Sequence, residues 1–111
     1  MKPLRMIENE GRVSLELDCG TTSVDDVIRE VGHEPNGSFW EGIAQLLVEG
    51  ELADLAGSFD FDPEAGMFCA YGEDRVALQR LGVAMAKIAN DSVRLRATVT
   101  AAEARGFAFD D

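Results

Sequence analysis

The chain has 111 residues and a formal net charge of −11, and 46% of its residues are hydrophobic. This length and hydrophobic share fit one globular domain over residues 1–111 and exclude a disordered chain or two domains. No apolar run reaches the roughly 18 residues of a membrane span. The basic start of the chain lacks the apolar segment of a secretion signal. The sequence therefore predicts a cytoplasmic protein without a membrane partner.

The negative charge is confined to the first two thirds of the chain. Residues 1–72 contain 15 acidic and 4 basic residues, whereas residues 73–111 contain 6 of each. Such a field repels nucleic acid and speeds encounter with a basic protein. We therefore expect a basic protein partner and no nucleic-acid partner, although solubility alone is an equally good explanation of the charge at this point.

The first strands form a predicted hairpin. Residues 4–7 and 12–18 are read as strands, the second with strict polar and apolar alternation, and Gly11 closes the turn between them. A short helix follows, with Ser23 as its N-cap and Gly32 at its end.

A central helix is predicted next, running to about Glu49. Ser38 and Glu41 have the spacing of a capping box, which places the helix start at Ser38. Its apolar residues recur at the spacing of a buried stripe; they are Trp40, Ile43, Ala44 and Leu47. Trp40 could instead be an exposed anchor for a partner, but its place in this stripe favours the core.

A second hairpin is predicted from residues 58–62 and 67–72. In its first arm Phe59 and Phe61 face one way, and Asp60 and Asp62 face the other. The second arm is apolar on both faces, so we expect it to be central or covered. This apolar hairpin could also support a homodimer.

Two helices complete the domain, over residues 73–89 and 93–105. Their predicted inner positions are Leu78, Leu81, Met85 and Ile88 in the first helix and Leu95, Val99 and Ala102 in the second. Phe107 and Phe109 are expected to pack the tail back onto the body. Since strands come in hairpins and helices in runs, the fold class is α+β, a two-layer domain with an antiparallel sheet of two hairpins packed against helices.

The sequence predicts no catalytic, cofactor-binding or metal-binding residue, and therefore no enzyme. His33 has no second histidine or cysteine pair near it, and Cys19 and Cys69 are read as free thiols. The motif formed by Asp60, Asp62 and Glu64 could bind a cation, but a solvated strand face or a partner contact is the better interpretation.

Two segments resemble the signature blocks of the Imm51 immunity-protein family. They are His33–Gly42 and Phe61–Phe68, in the order and separation that the family shows, and the end of the chain from Gly106 also fits. Ser38 departs from the tyrosine that many members carry. The matching positions are Pro35, Asn36, Gly37, Phe39, Trp40, Glu41, Gly42, Phe61, Pro63, Gly66 and Phe68.

The resemblance implies an α+β protein encoded beside a bacterial polymorphic toxin, which it binds and blocks. It names no catalytic residue. Many such toxins are nucleases with basic clefts, which an acidic inhibitor could enter in place of phosphate. The candidate partner-binding residues are the first acidic cluster, Glu49, Glu51 and Asp54, and the second acidic cluster, Asp60, Asp62 and Glu64. The alternatives are an acidic adaptor or regulator, or a small cation-binding protein, unrelated to toxins.

Overall fold

The computed structural model describes residues 1–110, in which four strands and four α-helices alternate as two hairpins and two groups of helices. The predicted α+β class is confirmed. None of the helices in this described part is long and apolar enough to cross a bilayer. The elements are β1 (Leu4–Asn9), β2 (Arg12–Asp18), α1 (Asp25–Glu30), α2 (Gly37–Glu49), β3 (Asp60–Phe61), β4 (Met67–Gly72), α3 (Arg75–Ala89) and α4 (Ser92–Ala104), with a 3-10 turn at Ala53–Leu55.

The first hairpin closes through the two-residue loop Glu10-Gly11. Both loop residues have positive φ angles, 54° and 82°. This is the signature of a type I′ turn, whose twist matches that of the paired strands. Because the turn is so tight, pairing extends to Asn9 opposite Arg12, and β1 is two residues longer than predicted.

The sheet is fully antiparallel, in the order β1-β2-β4-β3. β4 is therefore an interior strand, as its two apolar faces predicted. β3 is shorter than the predicted arm over residues 58–62. Hydrogen bonds nevertheless continue along it, from Asp62 N–H to Cys69 (2.9 Å) and from Glu64 N–H to Met67 (2.7 Å). Pro63 lies between them on the sheet edge, where a residue without an N–H is tolerated.

Helices α2 and α3 pack against one face of the sheet, and α4 packs against α3 and α1. The inner face and the helices share one apolar core. Every position of the predicted inner stripes of α2, α3 and α4 is buried. The opposite face of the sheet, called the open face below, has no helix of residues 1–110 packed on it.

The predicted capping box of α2 is wrong. Asn36 is the N-cap, and its side-chain oxygen accepts a hydrogen bond of 2.9 Å from the Phe39 N–H. Ser38 lies inside the first turn, and the Glu41 carboxylate instead accepts a hydrogen bond from Gln45. The helix begins earlier than predicted because Asn36 is as good a cap as serine and Gly37 can fit where a side chain cannot.

The starts of α1 and α3 differ from the predictions, and α4 begins within one residue of its predicted start. Ser23 does not cap α1, since its hydroxyl donates to the Ala89 carbonyl and the cap position is Val24. Asp74 caps α3 and Asp91 caps α4 through their carboxylates, so these helices begin at Arg75 and Ser92.

Candidate functional site

The two segments that carry the family resemblance meet in the structure. The Gly37 N–H donates a hydrogen bond of 3.1 Å to the Glu64 carbonyl. A Cβ atom at Gly37 would overlap the carbonyl oxygens of Glu64 and Met67, so the start of α2 can approach the second hairpin only without a side chain. Pro35 is buried beside it. These motif positions therefore hold α2 against the sheet.

Gly42, the second glycine of the motif, leaves space for the tail of the chain to pack on α2. A Cβ atom at Gly42 would lie 2.6 Å from Cδ1 of Phe109. The Phe109 ring stacks on Phe39 and contacts His33, both with centroids 5.0 Å apart, and Phe107 lies edge-on to it. The predicted packing of the tail is confirmed. Nothing in the structure explains the glycine at position 66, where a side chain would have open space.

The aromatic motif residues belong mainly to the core. Trp40 is fully buried and contacts Phe39 edge to face at 5.6 Å, which confirms the core role over an exposed anchor. Its Nε1–H has no hydrogen-bond partner within residues 1–110. Phe68 is fully buried, and the half-buried Phe61 packs against it at 6.0 Å.

Neither thiol is suited to nucleophilic chemistry. Cys19 and Cys69 are free. Burial raises the pKa of Cys19 to about 11. Burial also raises the pKa of Cys69, with further contributions from the negative charges of Glu16, Asp62 and Glu64. Few thiolates therefore form at neutral pH.

The acidic side chains do not assemble into a metal site. Within residues 1–110, no group of three or more histidine, cysteine, aspartate or glutamate side chains is placed to hold an ion.

The first acidic cluster is exposed but lies among cations. Glu49, Glu51 and Asp54 follow α2 at the surface. Both carboxylate oxygens of Asp54 accept hydrogen bonds from Arg80, which lowers the pKa of Asp54. Glu51 lies on two grooves between the helices, which also contain basic residues; these are Arg94 and Arg105 in one groove and Arg80 and Lys87 in the other.

The second acidic cluster has no ion-pair partner among the described residues. Asp60, Asp62 and Glu64 are exposed, and none forms an ion pair with another residue of the described chain. The strand register places Asp60 beside Tyr71 on the open face. The first cluster therefore includes an ion pair with Arg80 and lies near further helical cations, whereas the second cluster has no ion pair within residues 1–110.

The open face adds charged residues that sequence reasoning missed. Arg5 donates hydrogen bonds to Asp18 (2.7 Å) and Glu16 (2.9 Å), and the guanidinium lowers the pKa of Asp18. The alternation of β2 already places Glu16 and Asp18 on its polar face. Their position beside the second hairpin depends on the pairing of β2 with β4, which no local pattern encodes.

Comparison with known proteins identifies the family. A search of curated proteins and a search of solved structures each gave no match. The family model described as immunity protein 51, Imm51, matches residues 4–104. This span begins with β1 and ends with α4, so it includes every strand and helix described above. The chain belongs to the Imm51 family of immunity proteins.

Proposed function

We propose that this chain binds and neutralises a cognate toxin of a bacterial polymorphic toxin system, and so protects the cell that makes it. The match to immunity protein 51 over residues 4–104 carries this proposal. The raised thiol pKa values argue against a cysteine nucleophile. The complex would form in the cytoplasm, where such a toxin meets its target.

The partner in this proposal is a basic protein, and a nuclease is the favoured class. A nuclease cleft is positively charged because it binds phosphate, and an acidic protein is steered toward it electrostatically. The second acidic cluster supports this mechanism most directly, since its carboxylates are exposed and unpaired within residues 1–110. The first cluster contributes less, because Arg80 compensates Asp54.

Co-expression with the toxin encoded by the neighbouring gene tests the function. We expect the chain to restore growth of cells that express the toxin and to co-purify with it. Growth arrest in the presence of the folded chain, without a complex, would contradict the proposal. A neighbourhood of metabolic genes would instead favour an adaptor or regulator.

Paired charge reversals test the mechanism. Asp60→Lys with Asp62→Lys should weaken toxin binding by tenfold or more, since losing a partner of a buried interfacial charge costs roughly 2–5 kcal/mol. Glu49→Lys with Glu51→Lys makes the same change of net charge at the first cluster, and we expect a smaller loss. Single reversals at Glu51, Asp54, Asp60 and Asp62 complete the series. Full affinity in all of these variants would exclude the acidic mechanism.

A further inference from the structure

The open face contains a concavity of about 1040 Å³ at the end where the first hairpin turns. Its residues come from all four strands and two flanking loops. Among them are Ile7, Arg12, Ser14, Asp60, Tyr71 and Glu73. The register explains the group, because Ile7 pairs with Ser14, Ser14 with Tyr71, and Tyr71 with Asp60 in one row across the sheet.

The lining of this concavity includes the aromatic ring of Tyr71, and the guanidinium group of Arg12 lies over that ring. The Arg12 guanidinium carbon lies 4.6 Å from the centre of the Tyr71 ring, within the range of a cation–π contact. Arg12 forms no ion pair with any other residue of the described chain. Ile7 is 44% exposed in the same row of the sheet, two strands from Tyr71, and offers an apolar surface for the stem of a long side chain. The shape and chemistry therefore suit an arginine.

The rim of the concavity is acidic and uncompensated. Glu10, Asp60 and Glu73 are exposed and have no ion-pair partner within residues 1–110, in contrast to Glu8, which pairs with Arg75 nearby. Arg12 is therefore one cation among three carboxylates. A second guanidinium would be complementary in charge, and its planar group can stack on the ring and also donate two parallel hydrogen bonds to one carboxylate.

We propose that the toxin inserts an arginine side chain into this concavity, where its guanidinium lies against Tyr71 and pairs with Asp60 and Glu73. Arg12 occupies the ring in the free protein and moves aside when the complex forms. This inference rests on the proposed function and names the chemistry by which the partner is recognised. Neither Tyr71 nor Glu73 belongs to the predicted acidic clusters.

Calorimetry measures the affinity of the chain for a catalytically inactive form of the toxin domain encoded by the neighbouring gene. The affinities of chosen variants then test this inference separately from the proposed function. We expect Tyr71→Leu, and also Asp60→Asn with Glu73→Gln, to weaken binding about tenfold or more. Arg12→Ala should leave the affinity unchanged or increase it, because it removes the competing cation. Glu49→Gln with Glu51→Gln, which makes the same change of net charge as the Asp60/Glu73 pair, should weaken binding less than that pair does. Fluorescence of the buried Trp40 verifies that each variant is folded.

Protection of toxin arginines supplies an independent readout. Modification with hydroxyphenylglyoxal should spare at least one toxin arginine in the wild-type complex and modify it in the complex with Tyr71→Leu. A wild-type complex in which no toxin arginine is protected would overturn the assignment to arginine.

Three other outcomes would also overturn the proposal. The first is a wild-type complex whose affinity is unchanged by the Tyr71 and Asp60/Glu73 substitutions, which contradicts this inference and leaves the proposed function standing. The second is a free chain that sediments as a dimer and becomes monomeric in Tyr71→Leu, since a second copy would then occupy the face. The third is the absence of any wild-type complex, which contradicts both proposals.

Discussion

Glu41 illustrates how a single carboxylate is affected by its position in the first turns of α2. Its one hydrogen bond within residues 1–110 comes from Gln45. Burial, and then the negative charge of Asp110, raises the pKa of Glu41. Asp54 has the opposite environment, because hydrogen bonds from Arg80 lower its pKa. The two groups therefore affect stability with opposite pH dependence.

We expect Glu41→Gln to raise the free energy of unfolding at pH 7. A carboxyl whose pKa is raised on folding contributes most stability below its unfolded pKa and loses that contribution as the pH rises. Glutamine removes the poorly solvated charge and can still accept the hydrogen bond from Gln45. The advantage should vanish below roughly pH 4, where both states are protonated. Urea unfolding followed by Trp40 fluorescence measures the effect.

Asp54→Asn is the matched control for this prediction. It should lower the free energy of unfolding at pH 7, because the contribution of a carboxylate with a lowered pKa is present at neutral pH. That loss should shrink as the pH falls through the folded pKa of Asp54. Parallel pH profiles for wild type, Glu41→Gln and Asp54→Asn would contradict the assigned environments.

Two motif glycines should differ in their tolerance of a methyl group. Gly37→Ala forces a Cβ atom against two backbone carbonyl oxygens, which cannot move without separating α2 from the second hairpin. We expect a loss of about 3 kcal/mol or more. Gly42→Ala meets the ring of Phe109, which can shift, and alanine favours the helix by about 1 kcal/mol. A smaller loss, up to about 2 kcal/mol, should follow. Equal losses in denaturant unfolding would argue against this difference.

At the scale of elements, the start of α2 distinguishes two capping schemes. Asn36→Ala removes the side-chain oxygen that accepts from the Phe39 N–H, and should lower stability by about 1 kcal/mol. Ser38→Ala should change stability by less than about 0.5 kcal/mol, as is usual for surface substitutions. Thermal and urea unfolding of both variants check this. The reverse order would restore the capping box that the sequence suggested.

The elements that the sequence predicts well are those with long internal periodicity. The stripes of α2, α3 and α4 were predictable because each residue repeats the same constraint, burial on one face. The start of α2 was not, since Asn36 and Ser38 are both good caps. Contact between Gly37 and Glu64 decides between them, and that contact is tertiary.

The same distinction applies to the candidate site. Alternation along the second hairpin was sufficient to predict that Asp60 and Asp62 are exposed. The sequence could not show that Arg80 forms an ion pair with Asp54, because the packing of helices brings the two residues together. The contact between Arg12 and Tyr71 likewise depends on the register of β2 with β4. The exposure of each charged residue was therefore predictable from the sequence, whereas the partner of each charged side chain was not.

At the scale of the whole molecule, the open face of the sheet has fewer cations per carboxylate than the rest of the chain. α3 and α4 belong to the third of the chain in which acidic and basic residues are equal in number, and α3 packs on the inner face. The open face and its loops contain two arginines, Arg5 and Arg12, against seven carboxylates. These are Glu10, Glu16, Asp18, Asp60, Asp62, Glu64 and Glu73. The open face and its loops therefore carry a net charge of −5, nearly half of the chain's net charge of −11.

The net charge of −11 predicts that association with a basic toxin is fast at low salt and slows steeply as salt is added. Raising ionic strength from 0.01 M to 0.15 M shortens the Debye length from about 30 Å to about 8 Å, which screens steering before contact. Dissociation should change much less, because short-range contacts are screened less. Stopped-flow association rates over this range, for the chain and its toxin, measure the slope.

The position of the charge, rather than its total, should set that slope. Asp60→Asn with Asp62→Asn and Glu49→Gln with Glu51→Gln each remove two negative charges, so steering by net charge alone would flatten the salt dependence equally. We expect the first pair to flatten it more, because those carboxylates are uncompensated on the open face, whereas Glu51 lies near Lys87, Arg94 and Arg105. Equal slopes for the two pairs would show that the toxin responds to the overall charge of the molecule. A flatter slope for the Glu49/Glu51 pair would place the approach on the helical side instead.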